Sequence, residues 1–264
     1  MYDFNYHKPE SVDSAKTLFS DAEDGIYLAG GHTLIPSMKQ RLSAPSDVID
    51  LSAIPALTDI SVDNGVLRIG ALVTHDSVAT SALVSAHCGA IADLAGGIGD
   101  AQVRNRGTIG GSIANNDPAA DYPAAIVGLN ATIHTDQRDI AAADFFTGMF
   151  ETALQEGEIV TQITFPSVSA AAYAKFPNPA SRYATVGVMV AKTDDGVRVA
   201  ITGASPCVFR ASEMEAALDQ NLSSSSLDGI SLDQDSLMGD MHASAEYRAH
   251  LCNVMAKRAV DRLN

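Results

Sequence analysis

The 264-residue sequence is short of basic charge, with 17 lysines and arginines against 32 acidic residues and a net charge of −15. So acidic a chain repels a nucleic-acid backbone and an anionic membrane surface, which excludes both as general partners. Long apolar runs are also missing. The longest, such as Ala124 to Leu129 and Ala184 to Ala191, fall far short of the roughly 20 residues a membrane span requires. Cysteine is scarce, and Cys88, Cys207 and Cys252 form an odd, widely spaced set that reads as small buried side chains rather than a disulfide framework. With no C-x-x-C, no H-E-x-x-H and seven scattered histidines, the chain carries no visible iron–sulfur or zinc ligand set. Any metal is expected on another chain. Met1-Tyr2-Asp3-Phe4-Asn5 lacks the ordered basic, apolar and cleavage-site segments of an export signal, so a cytoplasmic location is expected.

Apolar residues make up 46% of the chain, enough for a substantial core and for one large or two modest domains. Behind Ser11, residues Val12, Ala15, Leu18, Phe19 and Ala22 recur at helical spacing, predicting a helix over about 11–23. A buried strand, Ile26 to Ala29, stops at Gly30-Gly31, and helical spacing resumes over 33–42. A second strand spans 47–51, and 58–62 with 66–69 forms a hairpin about Asp63-Asn64-Gly65. Helices are expected at 74–80 and 84–96. The segment from Gly96 to Ala125, dominated by glycine, asparagine and small residues, is too poor in large side chains to build a core and should lie against something else. Strands follow at 131–135 and 158–165, and a domain boundary is placed at Pro166 and the alanine-rich link after it. Beyond the link, short strands at 172–176, 185–192, 197–202 and 207–210 read as an antiparallel meander. Helices are expected at 211–219 and after Ser244, with Ser223 to Ser226 a solvated loop. No repeat of 20 to 50 residues is visible, which removes solenoids and propellers.

Two glycine-rich segments carry the chemistry. At Leu28-Ala29-Gly30-Gly31-His32-Thr33-Leu34-Ile35 a strand meets a helix start through bare backbone, which lets N–H groups approach a pyrophosphate. A double glycine after a strand is also a plain turn, so the reading depends on the second segment, Gly107-Thr108-Ile109-Gly110-Gly111-Ser112-Ile113-Ala114, closing over the same ligand. Competing motifs fail. No Gly-Lys dipeptide exists for a P-loop, Gln102 occupies the third glycine position of a dinucleotide fingerprint begun by Gly97-Ile98-Gly99, and Ser112 has no assignable His and acid for a nucleophile role.

The turn Ala29-Gly30-Gly31-His32-Thr33, the run Gln102 to Gly111, the stretch Asp117-Pro118-Ala119-Ala120-Asp121-Tyr122-Pro123 and Glu156-Gly157-Glu158-Ile159-Val160 together resemble the FAD-binding subunits of the molybdenum hydroxylases. Within that family they most resemble the medium subunits of aerobic carbon monoxide dehydrogenases. The resemblance is nearly full length. It implies an α+β fold: a two-lobed FAD-binding domain of vanillyl-alcohol-oxidase type over 1–168, then a smaller C-terminal α+β domain of antiparallel sheet plus helices over 169–264. It further implies that Ala29, Gly30, Gly31, His32, Thr33, Leu34 and Ile35 hold the pyrophosphate from one side. Thr108, Ile109, Gly110, Gly111, Ser112 and Ala114 would wrap the other. Ile98 and Gly99 match positions beside the adenine, with a helix-ending core loop as the alternative. Asp121, beside Ala120, matches a residue that bonds ribityl hydroxyls; a turn or N-cap role before Pro123 is the alternative. Ile159 matches an apolar cofactor contact and alternates equally well as strand core. Lys175 matches a lysine near the flavin ring and Tyr183 a tyrosine over one ring face, with plain surface the alternative for both.

Between those two residues the sequence departs from the family. A basic run with an aspartate is replaced by Phe176-Pro177-Asn178-Pro179-Ala180-Ser181-Arg182, whose prolines stiffen the segment and whose Arg182 reverses a charge. The function implied is an electron-transfer flavoprotein subunit. A large subunit with a molybdenum site and a small subunit with iron–sulfur clusters would be its partners, in a dimer of heterotrimers that reduces an external acceptor. Carbon monoxide is the substrate the resemblance favours, with an aromatic or heterocyclic compound the alternative. A self-contained FAD oxidase would need a general base on this chain, and no candidate pair is visible.

Overall fold

The computed structural model describes residues 1–263 as an α+β protein built on three sheets and a small hairpin. The N-terminal lobe contains β1 (Asn5–His7), β2 (Gly25–Leu28) and β3 (Asp47–Asp50), a parallel sheet in the order β1-β3-β2, with α1 (Val12–Asp21) across it. Ser11 caps α1 through a reciprocal box with Ser14. The short helix α2 (Leu34–Lys39) follows the first glycine turn.

A second lobe is formed by an antiparallel sheet in the order β4-β5-β10-β6-β7. Its strands are β4 (Ile60–Asp63), β5 (Val66–Gly70), β6 (Thr132–Thr135), β7 (Asp139–Ala141) and β10 (Val160–Phe165), with a small hairpin of β8 (Phe146–Gly148) and β9 (Glu151–Thr152) inserted before the last. Asn64 and Gly65 both take positive φ, 50° and 77°, the geometry the β4–β5 turn requires. Around this sheet lie α3 (His75–Thr80), α4 (Ala82–His87), α5 (Gly89–Gly96), α7 (Ile109–Asn115) and α9 (Ala142–Phe145), with α6 (Ala101–Arg104) against α3 and α8 (Tyr122–Gly128) continuing the core towards the C-terminal sheet.

The C-terminal part is an antiparallel sheet of β11 (Ala170–Pro177), β12 (Ala184–Thr193), β13 (Gly196–Thr202) and β14 (Phe209–Arg210), backed by α10 (Ser212–Gln220) and α11 (Ala245–Val260). Residues 184–191 are buried without interruption because the sheet is covered on both faces. Val186, Val188 and Val190 join the core beneath α10 and α11, while Met189 and Ala191 turn into the core of the second lobe.

Most expected elements are present within one or two residues, and the differences are local. The helix expected over 84–96 is interrupted at Cys88, whose extended backbone (φ −155°) ends α4 before Gly89 starts α5. The small-residue segment holds three helices that apolar spacing did not reveal, and it does lie against other elements. Every residue of α8 is buried, and a β-carbon on Gly128 would stand 2.7 Å from the Met189 side chain, so only small residues admit the helix beneath β12. Short strands β1, β7, β8 and β9 were not expected. Ser224–Leu227 is a 3-10 turn that buries Leu227 rather than a wholly solvated loop. No helix among the described residues is long and apolar enough to cross a membrane. Cys88 and Cys252 are buried as expected, Cys207 is half-buried, and all three are free.

Candidate functional site

A cavity of about 710 Å³ opens where the two N-terminal lobes meet the tip of the β11–β12 hairpin. That volume sits within the roughly 300–1,000 Å³ typical of small-molecule and cofactor sites. The first glycine turn and the second line it from opposite sides. A β-carbon on Gly30 would overlap the Arg106 carbonyl and lie 2.7 Å from Gly107 Cα, so the lobes meet backbone to backbone there. Gly31 takes φ +73°, a conformation other side chains enter only with strain.

The second turn is fixed from below. His75 N donates to Gly107 O at 2.9 Å, Ile109 N to Val73 O at 3.1 Å and Gly110 N to Ala71 O at 2.9 Å, while Thr108 Oγ1 caps α7 by accepting from Gly111 N at 3.1 Å. Across the cavity, the amides of Gly30, Gly31, His32 and Thr33 donate to no protein acceptor among the hydrogen bonds of the described residues. Amides of this kind at a glycine turn fit the oxygens of a pyrophosphate, and the cavity they face fits a dinucleotide cofactor.

Asp121 closes one side of the cavity, and its carboxylate is 95% buried. It sits at the N-cap position of α8 but makes no capping bond, so the N-cap alternative fails. Instead Oδ1 accepts from Tyr173 Oη at 2.6 Å, and Lys175 Nζ lies 3.0 Å from Oδ1 and 3.1 Å from Oδ2. Burial pushes the Asp121 carboxyl above the usual carboxylate range, and Lys175 and Tyr173 act against that rise. Glu158, also on the wall, is held well down, to about 2, despite burial. Arg138 donates to it twice at 3.0 Å, Gln155 N donates at 2.7 Å and Thr135 at 2.7 Å. His75 lies beneath Gly107, its imidazole pushed down to about 4 by burial and by the His32 and Arg104 charges.

Of the residues singled out in the sequence, seventeen line this cavity: Ala29 to Leu34, Ile98, Gly99, Thr108, Gly110 to Ser112, Ala114, Ala120, Asp121, Ile159 and Tyr183. Three do not. Ile35 stands behind Gly31 as packing, Ile109 is fully buried in the second-lobe core, and Lys175 lies behind Asp121. The three Nζ protons of Lys175 are spent on Gly97 O (2.8 Å), Asp121 and Arg182 O (3.1 Å), so the lysine is a strut rather than a free cation facing the cavity.

The stiffened segment before Tyr183 forms the hairpin tip. Asn178 Oδ1 accepts from the amides of Ala180 and Ser181, Arg182 takes φ 62°, and its guanidinium donates to Gly99 O at 3.1 Å. Tyr183 lines the cavity and is 45% exposed. Sequence reading missed Tyr173, which was placed only as a strand residue. Its two-residue spacing from Lys175 on β11 was the available signal, since it puts both side chains on one face.

An FAD-binding domain paired with a flavoprotein C-terminal domain is the class that this fold and cavity define. The family profile of the FAD binding domain in molybdopterin dehydrogenase matches residues 2–168, and that of the CO dehydrogenase flavoprotein C-terminal domain matches residues 171–263. The chain is 34% identical to the nicotine 6-hydroxylase medium subunit of Paenarthrobacter nicotinovorans, covering 97% of this chain and 95% of that one. It is 33% identical to the carbon monoxide dehydrogenase medium chain of Afipia carboxidovorans, covering 98% and 96%. A chain of the reconstituted CO dehydrogenase from Oligotropha carboxidovorans superposes with a TM-score of 0.92 at 32% identity, covering 99% and 97%. The chain belongs to the family of FAD-binding medium subunits of the molybdenum hydroxylases, which are oxidoreductases.

Proposed function

We propose that this chain is the electron-transferring subunit of a multi-subunit molybdenum hydroxylase. It would receive electrons from iron–sulfur clusters on a small subunit, after substrate oxidation at a molybdenum site on a large one, and pass them to an external acceptor. The observation that carries the cofactor part is the meeting of two glycine turns over one cavity, with four unspent amides on one side. Bound FAD supplies two-electron redox chemistry, and everything this chain adds is binding and placement. On this reading Gly30 to Thr33 hold the pyrophosphate with Thr108, Gly110, Gly111 and Ser112 lining its other side, Ile98 and Gly99 border the adenine, Asp121 accepts from ribityl hydroxyls, and Ile159 and Tyr183 flank the ring system. Residues 1–168 and 169–264 act as the cofactor domain and its cover. Three free cysteines support a reducing, cytoplasmic compartment. Assembly as a dimer of heterotrimers belongs to the same reading.

Carbon monoxide is the first substrate to test. A heterocyclic substrate is the second reading, favoured by the 34% identity to a nicotine 6-hydroxylase subunit. Tagging the chain and weighing what copurifies tests the assembly. The expected result is a yellow complex with two partners, one bearing cysteine cluster motifs, that turns over carbon monoxide or a heterocycle where the chain alone does not. A colourless chain that purifies alone, or one that oxidises substrate unaided, overturns the proposal.

A further inference from the structure

Tyr173 and Lys175 rise from one face of β11, in the C-terminal part of the chain, and both end on the carboxylate of Asp121, which belongs to the cavity wall of the second lobe. The phenol hydroxyl reaches Asp121 only because residue 187 on β12 has no side chain. A β-carbon on Gly187 would collide with the Tyr173 hydroxyl. Each carboxylate oxygen takes one hydrogen bond: Oδ1 accepts from Tyr173 and Oδ2 from Lys175, whose ammonium also lies 3.0 Å from Oδ1, so each oxygen keeps an acceptor position.

We propose that Tyr173 is a positioning residue: it pins Asp121 Oδ1 so that an acceptor position left open on the carboxylate serves a hydroxyl of the bound cofactor. This rests on the FAD reading above. Tyr173 touches no ligand itself. It acts through Asp121, and it makes the hydroxyl-binding part of the site depend on a strand of the C-terminal sheet. A phenol suits the task because its single proton is given to the carboxylate while the ring, 8% exposed, is fixed by the core around it.

The test uses the full chain freed of flavin, with Tyr173→Phe, Asp121→Asn and the double variant, titrated with FAD and separately with ADP. ADP has the pyrophosphate and adenine but no ribityl hydroxyls. Tyr173→Phe is expected to weaken FAD binding about tenfold and leave ADP binding unchanged. Asp121→Asn should weaken FAD at least as much, and Tyr173→Phe should cost nothing further in its presence. Unchanged FAD affinity in Tyr173→Phe overturns the inference while leaving the flavoprotein reading intact. Equal losses for FAD and ADP, or additive losses in the double variant, also overturn it, because they mark general loosening. A parent chain that binds no FAD overturns the flavoprotein reading and this inference with it.

Discussion

Gly30 and Gly107 stand back to back across the seam between the two N-terminal lobes: a β-carbon on the first would come within 2.7 Å of the α-carbon of the second. The neighbouring obstruction, the Arg106 carbonyl, is backbone as well and cannot swing aside. Gly30→Ala is therefore expected to push the lobes apart, costing about 1–3 kcal/mol in thermal or urea unfolding and most of the bound flavin. Gly111→Ala should be milder. Its β-carbon would meet Thr108 Oγ1 at 2.9 Å, so the cost is the α7 cap, about 1 kcal/mol. Equal flavin content and stability in both variants would show that the seam is not the cofactor wall.

Tyr183→Ala should keep most of its flavin, since a stacked aromatic is worth only about 1 kcal/mol beyond burial. Flavin fluorescence should change and reoxidation by oxygen should quicken as a ring face is uncovered. Tyr173 is unsuitable as the control because it holds Asp121. Tyr247 packs edge-on against Phe176 at 6.1 Å, away from the cavity, and Tyr247→Ala should leave both readings at parent values. Identical behaviour of the two alanine variants would remove Tyr183 from the ring.

What the sequence revealed and concealed follows from the range of each interaction. The β4–β5 hairpin was legible because Asn64 and Gly65 declare their positive φ locally, and the Ser11 cap likewise. Both glycine turns were legible for the same reason. Helix α8 was not, because its burial under β12 depends on residues about 60 positions away and its seven residues, all buried, show no polar face to reveal a helical period. The roles of Lys175 and Tyr173 were hidden similarly. Sequence position alone could not show that Gly97, Asp121 and Arg182 would exhaust the lysine, or that Gly187 would clear a path for the phenol.

The latch between Arg182 and Gly99 ties the hairpin tip to the opposite wall of the cavity. Arg182→Gly keeps the φ of 62° accessible while removing the guanidinium. Stability should change by less than about 1 kcal/mol, because the bond is exposed. Proteolysis within 177–183 should quicken and flavin fluorescence should shift in the same direction as in Tyr183→Ala. A variant with parent-like proteolysis would show that Asn178 and the Lys175 bond to the residue 182 carbonyl hold the tip without the guanidinium.

Acid should destabilise the chain in two separable steps. The His75 imidazole is pushed down to about 4 from an ordinary 6.5, so the unfolded chain takes up the proton first. Its contribution is complete above pH 6.5 and is lost as pH falls from 6.5 to 4, by at most about 3 kcal/mol. Glu158, at about 2 against 4.5, contributes fully above pH 4.5 and loses that stability between 4.5 and 2. Arg138, which holds it, is 42% exposed, so solvent screening brings this step down to about 1–2 kcal/mol. Urea midpoints of His75→Asn minus parent should therefore change between pH 6.5 and 4 and then level off. The Glu158→Gln difference should stay constant down to pH 4.5 and change only below it. If the two difference curves coincide, acid sensitivity comes from a shared opening of the cavity rather than from these two buried groups.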